Sequence, residues 1–216
     1  MFIKMKKNIK WCLIVLTILI NLFSISEAQE KPILAILPFL VEKQGVCPLC
    51  KALFLKGKIL PGAEEILRRI LQNKIESMMI FEVLQKEEIE KFISSKDYQE
   101  IRRNPLLYSI RIGRMLKADF LFIGFLFRFE ERRGSSFGVE KPASVGFDIH
   151  LIRLKDGAEV WRGRFDETQR PLSENLLKIG AFLRRKASWL TAEELSTVGI
   201  DEIFMKFPGI KEIEEK

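Results

Sequence analysis

The chain has 216 residues, with 36 Lys and Arg against 29 Asp and Glu and a formal net charge of +7. Both signs are interspersed and no Lys/Arg block stands out, so the excess describes an ordinary solvated surface and gives no basis for nucleic-acid binding. His150 is the sole histidine, which leaves no Ser-His-Asp set without it, and the 13 glycines form neither a G-x-G-x-x-G nor a Walker loop.

The first segment is basic, with Lys4, Lys6, Lys7 and Lys10. An apolar run from Trp11 to Ile25 follows, then Ser26-x-Ala28, a small-x-small pattern. This is the order of a secretory signal, residues 1–28, with the mature chain starting at Gln29. The alternative is an inner-membrane anchor over residues 11–25, but that run is shorter than the ~20 residues of a typical span. Cys12 lacks a lipobox-like context and would leave with the signal. Removing four lysines and one glutamate lowers the charge from +7 to +4 and leaves 188 residues. The expectation is export to a periplasm, where paired thiols persist as disulfides. Residues 29–209 read as a single α/β domain and 210–216 as a polar tail that frays.

Ile33 to Phe39 (ILAILPF) is an almost continuous apolar run and predicts a buried strand that exits at Pro38. Residues 40–62 read as a loop, longer than the roughly 12–15 residues beyond which loops are usually functional or tied down. From Ala63 to Met79 the stripe Ile66, Leu67, Ile70, Leu71, Ile75, Met78 predicts an amphipathic helix, with Glu64 and Glu65 in its first turn. Ile80 to Leu84 reads as a short strand, and KEEIEKFISS as a short helix using Ile89, Phe92 and Ile93. DYQEIRR reads as a polar loop. Asn104-Pro105 opens a helix that continues to about Ala118.

Asp119 to Phe129 (DFLFIGFLFRF) predicts a central strand buried on both faces, with Phe120, Phe122, Ile123 and Phe125 in the core. ERRGSSFGVEKPA reads as a loop. Val145, Phe147, Ile149 and Leu151 alternate along a second long strand, and Asp156-Gly157 turns it into a return strand bearing Trp161 and Phe165. A helix is expected from about Pro171 or Leu172 to Leu190. Another starts at Thr191 with the capping box Thr191–Glu194 and ends near Phe207-Pro208-Gly209. The order implies parallel pairing of the first strands and an antiparallel edge: an α/β fold with a mixed, mainly five-stranded sheet packed with helices, plus extra C-terminal helices.

The series ILAILPF, FEVLQKEEIEKF, IGRMLKADFLFIGFL and HLIRLKDGAEVW resembles the domain shared by CsgG-type curli-secretion proteins and LpoB-type activators of penicillin-binding proteins. It is also similar to the N-terminal domain of TolB. The resemblance covers roughly residues 32–165. It implies a non-catalytic envelope protein that acts by binding another protein, in assembly, transport or the regulation of a cell-wall enzyme. It leaves open a homo-oligomer and implies no cofactor.

The chemistry-bearing motif is Cys47-Pro48-Leu49-Cys50, the only cysteines left once the signal is removed. Three readings stand. A disulfide would close a tight turn, shaping the loop locally because so small a ring gains little closure entropy. A thiol-disulfide oxidoreductase would need Cys47 exposed at a helix N-terminus, where its pKa falls. A metal site would need four ligands. One chain offers two thiolates and a distant His150, so a resident metal is not expected unless two chains share Cys47 and Cys50. His150 itself reads as a satisfied or exposed strand residue on the face opposite Val145, Phe147 and Ile149. Carboxylate pairs such as Glu193-Glu194 belong to helix starts.

Overall fold

Apolar runs make the strands, and their register makes the sheet. The computed structural model describes residues 30–136, 138–170 and 189–215. The chain divides into Met1–Lys31 and Pro32–Lys216, and every described element belongs to the second unit. The segment 1–28 and the helix expected from Pro171 or Leu172 to Leu190 lie outside the described residues, apart from Trp189 and Leu190.

Strand β1 (Ile33–Ile36) pairs in parallel with β3 (Glu82–Val83) on one side and β4 (Phe120–Glu130) on the other. The short β2 (Leu40–Val41) continues alongside β4 beyond Pro38. β4 then pairs antiparallel with β7 (Ser144–Arg153), and β7 with β8 (Ala158–Thr168). The sheet order is β3-β1-β4-β7-β8, so the fold is α/β with a mixed sheet. The parallel half follows from helical crossovers and the antiparallel half from the Asp156-Gly157 turn, where Gly157 adopts φ 77°.

Both faces of the sheet are covered. On one, α1 (Ala63–Met78) and α5 (Ala192–Phe204) bury Leu67, Leu71, Ile75, Leu195 and Ile200 against Phe122, Phe147, Ile149 and Leu151. On the other, α2 (Lys86–Glu90), α3 (Ser95–Arg103) and α4 (Pro105–Met115) bury Ile89, Ile101 and Ile112 against Leu121, Ile123 and Ile152. The loop after β2 covers the same face, with Cys47 and Phe54 inside the apolar cluster beside Phe125 and Phe127. Phe120, Phe122, Ile123 and Phe125 are all buried, as their run predicts. Each such side chain contributes about 1.5–3 kcal/mol by leaving water.

The expected caps form. Asn104 Oδ1 accepts from the Leu107 N–H at 3.3 Å with Pro105 in the first turn, and Thr191 and Glu194 complete their box. Several stretches differ from the sequence reading. Leu40–Val41, read as the start of a loop, is strand β2, and Phe92, expected on the apolar side of its helix, is exposed. DYQEIRR is helical within α3, because Ser94 ahead of it and Asp97, its first residue, form a capping box. The loop after β4 contains a small ladder of β5 (Arg133–Gly134) with β6 (Val139–Lys141). The polar tail contains α6 (Ile210–Glu215), held by fully buried Ile213 and by Arg153, whose Nη1 donates to the Ile213 and Glu214 carbonyls at 3.0 and 2.9 Å.

Candidate metal centre

The loop from Glu42 to Gly62 is tied to the sheet along its length. The Cys47 N–H donates to Ala52 O at 2.9 Å and Phe54 N–H to Gly45 O at 2.9 Å, which folds the C-x-x-C segment into a narrow finger. Inside the finger Lys51 N–H donates to Cys47 O at 3.0 Å, and Lys51 takes the left-handed conformation with φ 61°. Phe54 stacks on Phe127 with centroids 3.9 Å apart, and the Arg164 guanidinium lies over its other face at 4.3 Å.

This seating brings Cys47 onto β7. Successive strand residues face opposite sides, so Asp148, His150 and Ile152 share the face the loop covers. Cys47 Sγ lies 3.3 Å from His150 Nε2, and the Cys50 thiol donates to Asp148 Oδ2 at 3.6 Å. His150 Nε2 and Asp148 Oδ2 are 3.3 Å apart. The four donor atoms, from Cys47, Cys50, Asp148 and His150, all lie within 4.8 Å of one another. Cys47 and His150 are fully buried, Asp148 nearly so, and Cys50 is half-buried. The Cys50 N–H also points at Cys47 Sγ, 3.4 Å away.

A strand irregularity supplies the next shell. The β7–β8 register shifts between Leu151 and Ile152, so Glu159 stands opposite Ile152 and shares the face of His150. Glu159 Oε1 lies 3.1 Å from His150 Nδ1. Burial opposes charging of the imidazole, but hydrogen bonds with Asp148, Cys47 and Glu159 outweigh it and hold its pKa up to about 11. Burial pushes the Cys47 thiol above its ordinary value, the nearby His150 only partly offsetting it.

These placements bear on the sequence expectations. His150 is not distant from the cysteines but in contact with Cys47, because the loop folds back over β7. Cys47 and Cys50 lie unjoined beside Asp148 and His150. The geometry an oxidoreductase needs is missing at Cys47, which is buried, raised in pKa and followed by a turn at 48–50 instead of a helix. Asp148 and Glu159 were not singled out from the sequence. A signal for Asp148 existed: Asp-x-His at i, i+2 puts two titratable groups on one face of a strand whose opposite face is apolar from Val145 to Leu151. Glu159 had none, since its position depends on the register shift.

No family model matches the chain, and no curated protein matches it. Solved structures do show similarity. A PelC dodecamer from Paraburkholderia phytofirmans is 13% identical, covering 82% of this chain and 86% of its own, with a TM-score of 0.48. The lipoprotein GNA1162 from Neisseria meningitidis is 11% identical over 72% of this chain and 98% of its own, with a TM-score of 0.44. The LpoB C-terminal domain from Salmonella enterica is 11% identical over 69% of this chain and 91% of its own, with a TM-score of 0.39. An LpoB-type domain is thus among the solved structures to which the chain is similar.

Proposed function

We propose that this chain is a non-catalytic accessory protein of the cell envelope that binds another protein through the outer face of the loop Glu42–Gly62. The observation that carries it is a pair of leucines. Leu53 and Leu55 are 70% and 65% exposed, yet the backbone around them is fixed. Arg128 Nη1 donates to Leu55 O at 2.6 Å, Asp166 Oδ2 accepts from Leu55 N–H at 3.3 Å, and an Arg164–Leu53 carbonyl hydrogen bond adds a third tie. Apolar side chains on a fixed backbone cost less ordering entropy when a partner covers them, which favours binding.

Catalysis is disfavoured by the same geometry. Among the described residues the cluster of reactive side chains is closed over by the loop, leaving buried Cys47 and His150 no approach for a substrate. The envelope assignment rests on the signal-like residues 1–28. Among the described residues no helix is long and apolar enough to cross a membrane.

The test is an affinity pull-down from the envelope fraction with the wild-type chain and with the double variant Leu53→Asp/Leu55→Asp. A protein retained by the wild type and lost with the variant, whose circular dichroism is unchanged, is the expected result. Equal retention by both would move the binding face elsewhere. Loss of self-association in the variant, seen by size-exclusion chromatography, would make the partner a second copy of the chain.

A further inference from the structure

The geometry points to a zinc site formed within one chain by Cys47, Cys50, His150 and Asp148, with Glu159 orienting the histidine. Zinc takes thiolate sulfur at about 2.3 Å and imidazole or carboxylate donors at about 2.0–2.2 Å, so tetrahedral ligands stand roughly 3.3–3.8 Å from one another. The separations Cys47 Sγ–His150 Nε2, Cys50 Sγ–Asp148 Oδ2 and His150 Nε2–Asp148 Oδ2 are 3.3, 3.6 and 3.3 Å. Those three separations match edges of a tetrahedron, and all six fall within 4.8 Å, reached by residues from a loop and a strand about a hundred positions apart.

Three further features fit. Asp148 Oδ1 is buried with no hydrogen-bond partner, and an unsatisfied carboxylate oxygen in the interior is costly unless a cation sits near it. His150 turns Nδ1 to Glu159 at 3.1 Å, leaving Nε2 beside Cys47 Sγ and Asp148 Oδ2, the carboxylate–histidine arrangement that fixes a metal-binding ring. The Cys50 N–H directed at Cys47 Sγ is a donor suited to a thiolate. Two sulfur donors disfavour magnesium and calcium, and four protein ligands in a buried cluster describe a closed, structural site.

The consequence is mechanical. Such an ion would join the finger at Cys47–Cys50 to the middle of β7, locking the loop that presents Leu53 and Leu55. This inference needs no partner protein, and its test is independent of partner binding.

The full-length chain, expressed without a histidine tag and isolated from the envelope fraction, is analysed for metal content and thiol state. One zinc per chain, tightly held, is expected. Cobalt exchanged into the site should give the d–d bands of a tetrahedral ion and a thiolate charge-transfer band. Cys50→Ser should weaken that band. Glu159→Gln, which removes no ligand, should lower zinc affinity on the order of 10–100-fold while circular dichroism is unchanged. Chelation should open the loop 42–62 to proteolysis. A metal-free chain whose thiols stay reduced or form a disulfide in the presence of zinc would overturn the site. So would one zinc per two chains, or zinc affinity unchanged in both variants.

Discussion

Arg128 and Asp166 form a part-buried ion pair that grips one residue of the loop from both sides. Arg128 Nη2 lies 2.7 Å from Asp166 Oδ1, with the side chains 4% and 15% exposed. Arg128 donates to the Leu55 carbonyl, and Asp166 accepts from the Leu55 N–H. Arg128 also donates through Nε to Ser144 Oγ at 2.6 Å. The guanidinium faces the loop because the β4–β7 register shifts between Leu126 and Arg128. Before the shift Leu126 faces the α1 side; after it Phe129 does, and Arg128 is turned the other way. Gly57 lies against this side chain, where a Cβ would stand 2.4 Å from Arg128 Cγ and Cδ.

Removing both partners of this pair should therefore cost less than the sum of removing each. Arg128→Met leaves a shielded carboxylate, and Asp166→Leu leaves a buried guanidinium. Each should lower stability by about 3–5 kcal/mol. The double variant Arg128→Met/Asp166→Leu should cost clearly less than the sum of the two, the signature of direct coupling. Urea midpoints of the four proteins decide it. Strict additivity would mean the pair holds the loop by packing alone.

A second ion pair makes stability depend on acid. Hydrogen bonds from Arg153, then the Ala158 N–H, hold the Asp156 carboxyl at about 2, below its ordinary 3.8. The carboxylate form is the one the folded hairpin favours. Its contribution is full above the ordinary value, declines below about pH 4 and is lost as pH falls through about 2. Asp156→Asn should therefore be less stable than wild type at neutral pH, with the gap closing toward pH 2. Melting temperatures across that range provide the measurement. A constant gap would assign the effect to the turn backbone instead of to the charge.

Much of this fold can be read from residue order because the signals are local. ILAILPF and DFLFIGFLFRF announce buried strands by composition, and Asn104-Pro105 and Thr191–Glu194 announce helix starts by capping chemistry. Ser94–Asp97 carried a similar signal, hidden because DYQEIRR is so polar that only Tyr98 and Ile101 point inward. The candidate site is different. Cys47 and Cys50 form a visible motif, but their meeting with Asp148 and His150 depends on the path of a long loop, and Glu159 joins them only through a strand register shift. Arg128 is the same case. One extra residue in a strand exchanges its faces, and nothing in the composition of the run marks where that residue falls.

Gly124, in the middle of β4, has no room for a side chain. A Cβ on Gly124 would stand 2.5 Å from Phe39 Cε1 and 2.6 Å from Cδ1. The Phe39 ring is buried and meets Phe147 edge-on, with centroids 6.3 Å apart and planes at 84°. Gly124 therefore lets the chain just after Pro38 lie flat on the central strand, so that β2 can pair with β4. Gly124→Ala gains strand propensity but overpacks this contact, and the net cost should be about 1–3 kcal/mol. Phe39→Leu alone should also destabilise, by leaving part of the ring's volume empty. Together, the smaller side chain makes room for the added methyl, so the double variant should recover part of the Gly124→Ala loss. Urea denaturation of the two single variants and the double variant tests this. A double variant no better than the sum of the singles would show that the strand, not the ring, resists a side chain at position 124.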